Sequence, residues 1–242
     1  MNVTLKKSIR RLLHRMGWEL HRYRASSDSQ ALLADLLHRR RVDVVFDIGA
    51  NTGQFASELR YAGYRGNIVS CEPLKQAHRA LEAKALADDQ WIVVPRCAIG
   101  ARAGTVEMNV SENSVSSSVL PMLESHRAAA PNSYVVGQET VPMQTLDQVS
   151  RVHASGFKRA FLKIDTQGYE WAVLNGAELT LQNVVAMTVE TSLVPLYEGQ
   201  KLWLEMIDRI TRAGFVVWDI QPAFASPDGG RLLQADIVFA RL

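Results

Sequence analysis

The stretch 42-VDVVFDIGANTG-53 decides how this chain is read. Residues 42–48 form a β-branched apolar run, which predicts a buried strand, and the run stops at the turn GANTG. Residues 54–61 then carry a helical pattern, closed by Gly63 and Gly66. Strand, glycine turn and helix in that order open an α/β sheet, and ligands of such sheets bind beyond the carboxyl ends of the strands. Glycines there let the backbone approach a ligand with no Cβ in the way.

The same alternation continues outward. Asn67–Cys71 reads as a second strand, followed by Glu72-Pro73, a helix over Lys75–Leu86 and a third strand over Trp91–Pro95. Further on, Leu146–Val152 reads as a helix and Arg159–Asp165 as a strand ending in a carboxylate. Tyr169–Leu181 is a helix, and Val184–Glu190 is a strand ending in a second carboxylate. Lys201–Ala213 is a helix, and Phe215–Ile220 and Ala235–Ala240 are strands joined through an ASPDGG turn. Continuous apolar strands between helices predict a mostly parallel sheet covered on both faces, with the last pair as an antiparallel edge. Residues 104–144 break the rhythm. Thr105–Val110 and Glu139–Met143 read as short strands around a polar, serine-rich stretch, and an insert of this length is expected to act as a substrate lid. The organisation expected is a basic arm over residues 1–41 and one domain over 42–242.

Composition bounds the function. The chain has 242 residues, 47% hydrophobic and 21% charged, a globular balance with no internal repeat. No stretch approaches the ~18–20 apolar residues that span a bilayer, and the N-terminus lacks the apolar run of a secretory signal. A cytoplasmic protein is expected. Cys71 and Cys97 are read as reduced thiols, and neither they nor the six histidines show metal-ligand spacing. The net charge of +2 hides an asymmetry, because residues 1–41 carry +7 and the remainder −5. Leu5, Ile9, Leu12, Met16 and Leu20 recur at helical spacing, with Lys6, Lys7, Arg10, Arg11 and Arg15 mostly on the other faces. Such a helix packs on the body, lies on an anionic membrane, where each basic residue contributes about 1 kcal/mol, or meets a nucleic acid or protein partner. A peripheral position at the inner membrane face through residues 1–24 is therefore one expectation.

Asp47-Ile48-Gly49-Ala50-Asn51-Thr52-Gly53 reads D-x-G-x-x-x-G. A dinucleotide turn wants G-x-G-x-x-G facing a pyrophosphate, and an acid at the turn would repel that group. The same acid suits the α-ammonium of a methionine moiety, which favours S-adenosylmethionine over NAD. Glu72 follows the second strand, 25 residues after Asp47, where a carboxylate can accept both hydroxyls of a ribose.

FDIGANTGQF (46–55), CEP (71–73), CAIG (97–100), VPMQTLDQV (141–149) and LKIDTQGYE (162–170) together resemble the FkbM-type S-adenosylmethionine-dependent methyltransferases of class I fold, over roughly residues 42–192. The resemblance implies a Rossmann-like seven-stranded sheet and methyl transfer to a hydroxyl oxygen of a sugar, glycolipid or polyketide-type acceptor. It carries over Asp47, Gly49, Ala50, Asn51 and Gly53 as the turn around the methionine part. Glu72 becomes the ribose ligand, Ala98 an adenine neighbour, and Asp165 the carboxylate facing sulfonium and acceptor. Two positions depart from the family pattern: Arg96 stands where Asn is frequent, and Gln167 where Glu is common.

Transfer to a hydroxyl needs in-line positioning and a base. Asp165 and Glu190 are the candidate carboxylates. Lys163, two residues before Asp165, shares its strand face and is a candidate to pair with it or to polarise the acceptor. His126, in the insert, is a candidate base because its ordinary pKa lies near 6.5. Asn113, Ser116, Ser117 and Ser118 offer hydrogen bonds to a polyhydroxylated acceptor. Two carboxylates are too few to demand a hard cation, so no metal is expected. A nucleic-acid methyltransferase and a non-catalytic binding protein on the same fold are the rival readings; the acidic body has no electrostatic footprint for nucleic acid.

Overall fold

The computed structural model describes residues 11–17 and 29–242. Ten strands follow along these residues: β1 (Val44–Ile48), β2 (Asn67–Cys71), β3 (Trp91–Val93), β4 (Ala98–Ile99), β5 (Gly104–Ser111), β6 (Val135–Gln144), β7 (Ala160–Ile164), β8 (Val184–Ser192), β9 (Val216–Ala225) and β10 (Leu232–Ala240). Between them lie α1 (Ser29–Arg39), α2 (Gln54–Tyr61), α3 (Lys75–Ala85), α4 (Glu124–Ala129), α5 (Leu146–His153), α6 (Glu170–Asn175) and α7 (Trp203–Arg212). Seven strands form one sheet in the order β3-β2-β1-β7-β8-β10-β9. The pairs from β3 to β8 are parallel, and β10 runs antiparallel to both β8 and β9. This is the Rossmann-like class I arrangement expected from the sequence. The strand order reverses between β1 and β7, which puts the ligand-binding edge beyond Ile48 and Ile164.

Every residue of β1 and β7 is buried, because each strand is paired on both sides and covered on both faces. Phe46, Ile48, Leu162, Ile164, Leu146, Val149, Ile210 and Phe239 fill one face. Val45, Phe161, Leu59, Leu81, Ala186 and Val238 fill the other, together with Leu33, Leu36 and Leu37 of α1. Full burial of an aliphatic side chain contributes about 1.5–3 kcal/mol, so those three leucines tie α1 to the sheet. The last part of the basic arm thus packs on the body. Residues 11–15 are helical, with Leu12 and Met16 exposed; Leu5, Ile9 and Leu20 of the same stripe lie outside the described residues.

Two elements differ from expectation. The helix expected over Tyr169–Leu181 ends at Asn175 and resumes only as a 3-10 turn over Thr180–Asn183. The break falls at Gly176, where a Cβ would stand 2.0 Å from the Gly100 carbonyl oxygen. The chain crosses itself there too closely for a side chain. The insert is also more regular than its composition foretold. β5 and β6 form a long antiparallel ribbon, and β6 takes β4 as a parallel neighbour. Met108, Val141 and Met143 of the ribbon pack against Leu74 and Ala98 of the body.

Candidate active site

The turn after β1 is built around Gly49. Its backbone is left-handed (φ 78°), and a Cβ there would lie 1.8 Å from the Asp165 carbonyl oxygen. β1 and β7 therefore meet at their carboxyl ends with no room for a side chain between them. Asn51, also left-handed at φ 47°, presents its N–H to Glu72 Oε2 at 2.8 Å, and the Leu74 N–H donates to Glu72 Oε1 at 2.8 Å. Each carboxylate oxygen keeps a second lone pair, enough for two hydroxyl donors. Burial pushes the Glu72 carboxyl up to about 7, against the pull of these two backbone donors.

Glu72 lies in the wall of a cleft partly open to solvent. Gly49, Asn51, Ala98 and Asp165 share that wall, so five of the residues expected to touch a cofactor converge. Asp47, Ala50 and Gly53 do not line it. Asp47 is wholly buried behind the turn, Ala50 donates its N–H to the Cys71 carbonyl, and Gly53 faces Leu81 and Trp91. Leu74, Ile99, Met108, Val119 and Tyr169 complete an apolar side that sequence reasoning missed. The alternation of β5, which turns Met108 inward, was the only local signal for it. Arg96, the first departure, is occupied by Glu139 at 2.9 Å and the Pro73 carbonyl at 3.1 Å.

A second group of polar residues lies on the α1 face of the sheet. Lys163 Nζ donates to the Gly49 carbonyl at 2.8 Å and stands 3.3 Å from Asp47 Oδ1 and 3.4 Å from Asp165 Oδ2. One N–H of the ammonium is thus spent on the Gly49 carbonyl and the charge is shared with two carboxylates, so Lys163 clamps the turn while still bordering a cavity on this face. Burial would depress its pKa, but Asp165 and Asp47 outweigh burial and raise it. Asp47 itself is raised by burial, with Lys163 opposing. Gln167 Nε2 donates to Asp165 Oδ1 at 3.0 Å and to Glu190 Oε2 at 2.7 Å, so the two candidate carboxylates do come together. Glu190 is pushed well above the ordinary glutamate range by burial, then by Asp165, Glu170 and Asp236. Asp165 also borders a second cavity, shared with Phe55, Lys163, Thr188, Gln221 and Asp236.

The insert corrects two expectations. His126 is 2% exposed, faces Tyr197 and Phe224, and reaches Ser116 Oγ at 3.3 Å. Burial lowers its pKa, and it touches neither cavity, so it is a core histidine and not the base. The serines are taken up by partners within the protein. Ser117 Oγ accepts the Ser111 N–H at 2.9 Å, Ser116 Oγ meets Ser133 Oγ at 3.0 Å, and Ser118 Oγ donates to the Gln167 carbonyl at 2.7 Å. Ser117 still borders the cleft, with Ser114 and Val115, while Asn113 does not. Glu170 closes the 166–168 turn by accepting the N–H groups of Thr166 and Gly168, each at 3.0 Å.

A sequence model described as the methyltransferase FkbM domain matches residues 47–217, from the acid of the turn to the last strands. The chain belongs to this family. A search of curated proteins gives no match. Among solved structures, this FkbM methyltransferase is similar to magnesium protoporphyrin IX methyltransferase from Synechocystis, solved with bound cofactor (10% identity, 100% of this chain and 86% of that one, TM-score 0.47). Fibrillarin from Aeropyrum pernix, with natively bound S-adenosylmethionine, is 14% identical over 88% of this chain and 73% of its own (TM-score 0.47). Similarities of this size say nothing of the acceptor. S-adenosylmethionine is the cofactor of the FkbM family, and the site fits it on its own chemistry. Glu72 keeps two lone pairs in the cleft wall, the Gly49 turn excludes any Cβ, and Leu74, Ile99 and Met108 give an apolar side suited to a base.

Proposed function

We propose that this FkbM methyltransferase transfers the methyl group to a hydroxyl of a sugar-containing acceptor, of glycolipid or polyketide type. The observation that carries the reading is the position of Asp165, which borders both the cleft of Glu72 and Asn51 and the second cavity of Gln221 and Asp236. A carboxylate between two cavities suits a reaction in which cofactor and acceptor approach from opposite sides. Carboxylates and amides around the second cavity are the groups that hold a polyhydroxylated ring by hydrogen bonds.

When bound, S-adenosylmethionine supplies an electrophilic methyl on a sulfonium. Asn51 and Gly49 would shape the turn against the methionine part, Glu72 would accept the ribose hydroxyls, and Ala98 would flank the base. Asp165 orients the acceptor hydroxyl and takes its proton as the new C–O bond forms. Glu190, tied to Asp165 through the Gln167 amide and bordering neither cavity, sets the charge beside Asp165 and takes no proton itself. The insert shields the cleft from water as a lid. Residues 1–24 bring the protein to an anionic membrane surface, where a lipid-borne acceptor is found.

Incubation with methyl-labelled S-adenosylmethionine and a panel of glycosylated lipids, free glycosides and RNA tests the reading. Label is expected in a glycosylated acceptor, base-stable as an ether, and lost in Asp165→Asn. Label only in RNA would replace this reading with a nucleic-acid methyltransferase. Sedimentation with vesicles should show binding to anionic and not to neutral lipid; equal binding to both would remove the membrane part alone.

A further inference from the structure

The second departure from the family pattern, Gln167, sits where three parts of the molecule meet. Its backbone is left-handed (φ 54°) and its side chain is buried. The two N–H bonds of its amide go to Asp165 Oδ1 and Glu190 Oε2, and its Oε1 lies 2.9 Å from the Tyr197 hydroxyl. Where both acids are ionised they only accept, so in that state the amide nitrogen faces the acids and the carbonyl faces the phenol; the opposite orientation would set oxygen against oxygen twice. Tyr197 is buried, and burial followed by Glu190, Glu170 and Asp165 raises its pKa, so the phenol keeps its proton. That hydroxyl also lies 3.0 Å from the Ser116 carbonyl, and the backbone carbonyl of Gln167 receives Ser118 Oγ. The insert is thereby joined to both acids through one residue.

We propose that Gln167 is the positioning residue of the methyl-transfer site: its amide holds Asp165 and Glu190 as a pair and, through Tyr197 and Ser118, makes that pairing depend on the seating of the insert. The proposal rests on the reading of Asp165 as the reacting carboxylate, with Glu190 as the acid paired to it. A glutamate at this position would offer neither acid an N–H and would add a third acceptor between them. The amide joins the same atoms with no added charge. Glu190 is faced by Asp165, Glu170 and Asp236, which disfavour its ionised form, by Lys163, which favours it, and by the amides of Gln167 and Gln234 (2.7 and 2.8 Å). Removing one amide therefore has a defined sign. Glu190 must hold its proton to higher pH.

The test is a carbon-13 titration of labelled Asp and Glu carboxyls in the full chain, with the Glu190 signal identified by its loss in Glu190→Gln. Gln167→Met, which keeps the length and removes the hydrogen bonds, is expected to raise the Glu190 midpoint by about one pH unit or more. It should also speed amide hydrogen exchange at residues 116–118 by about tenfold. Tyr197→Phe removes one oxygen and should move the Glu190 midpoint the same way by less, which decides the matter if Gln167→Met does not fold. A Glu190 midpoint unmoved in the variants that fold overturns the pairing, and a moved midpoint with unchanged exchange overturns the coupling to the insert. Calorimetry with S-adenosylmethionine on the same wild-type sample tests the reaction separately. Absence of binding there counts against the methyltransferase site and leaves the titration to decide the role of Gln167.

Discussion

The turn at residues 47–53 and the insert at residues 104–144 border the same cleft, yet they are built by opposite means. The turn is shaped by what its residues lack: Gly49 has no Cβ, so β1 and β7 close to within a carbonyl's reach. The insert is shaped by what its residues carry, since Ser111, Ser116, Ser117 and Ser118 each use a hydroxyl to tie one backbone segment to another. A backbone-built site is rigid and intolerant of substitution. A hydroxyl-built cover yields more gradually, as each bond contributes only about 0.5–1.5 kcal/mol net.

The sharpest way to break this contrast is Gly49→Ala. With a Cβ aimed at the Asp165 carbonyl and a left-handed backbone, it should destabilise the protein by roughly 4 kcal/mol or more, beyond the range of ordinary substitutions. Thermal unfolding measures it, and a variant within about 1 kcal/mol of wild type would show that the turn can relax.

Lys163→Met should come next. It leaves Asp47 buried without its cation, at a cost of about 3–5 kcal/mol near pH 8. The loss has a pH signature. Without Lys163 the Asp47 pKa in the folded state rises further above its unfolded value, so the folded variant binds a proton that the unfolded chain releases. Its stability deficit should therefore shrink as pH falls toward 5, and urea unfolding at several pH values would reveal a deficit that stays constant instead.

A smaller effect is expected from Glu72. Its carboxyl sits at about 7 in the folded protein and must be ionised to accept two ribose hydroxyls. Cofactor affinity should thus rise with pH through neutrality and flatten above about 8, with a proton released on binding. Glu72→Gln should lower affinity by about tenfold to a hundredfold and abolish the pH slope. On the insert, Ser117→Ala leaves the buried Ser111 N–H unpaired and should cost about 1–3 kcal/mol, seen as faster exchange near Ser111 with the sheet unchanged.

The contrast also explains what was legible in the sequence. β1, its glycines, Glu72 and the strand bearing Asp165 announce themselves because an apolar run followed by a backbone-defined turn leaves few residue types permissible. Burial of β7 follows from the same run of apolar residues. His126 and the serines are illegible for one reason: a polar residue in an insert is read as facing solvent or ligand, whereas its partner is set by how the chain folds back, as with Ser118 and Gln167. Counting charge over residues 1–41 places α1 in the basic arm, whereas Leu33, Leu36 and Leu37 mark a buried face. Lys163 sits on the strand face expected and beside Asp165 as expected, but its contacts with Gly49 and Asp47 emerge only when β1 and β7 are brought side by side. Gln167 stood out only by differing from the family, and its meaning needed Tyr197, thirty positions onward.

The central claim is that the cleft between Glu72 and Asp165 holds S-adenosylmethionine. Isothermal calorimetry on the full chain, with wild type and Glu72→Ala, tests it most directly. One molecule bound per chain with micromolar affinity, lost in the folded Glu72→Ala variant, is the result predicted. Unchanged binding in Glu72→Ala, or none by folded wild type, would contradict it.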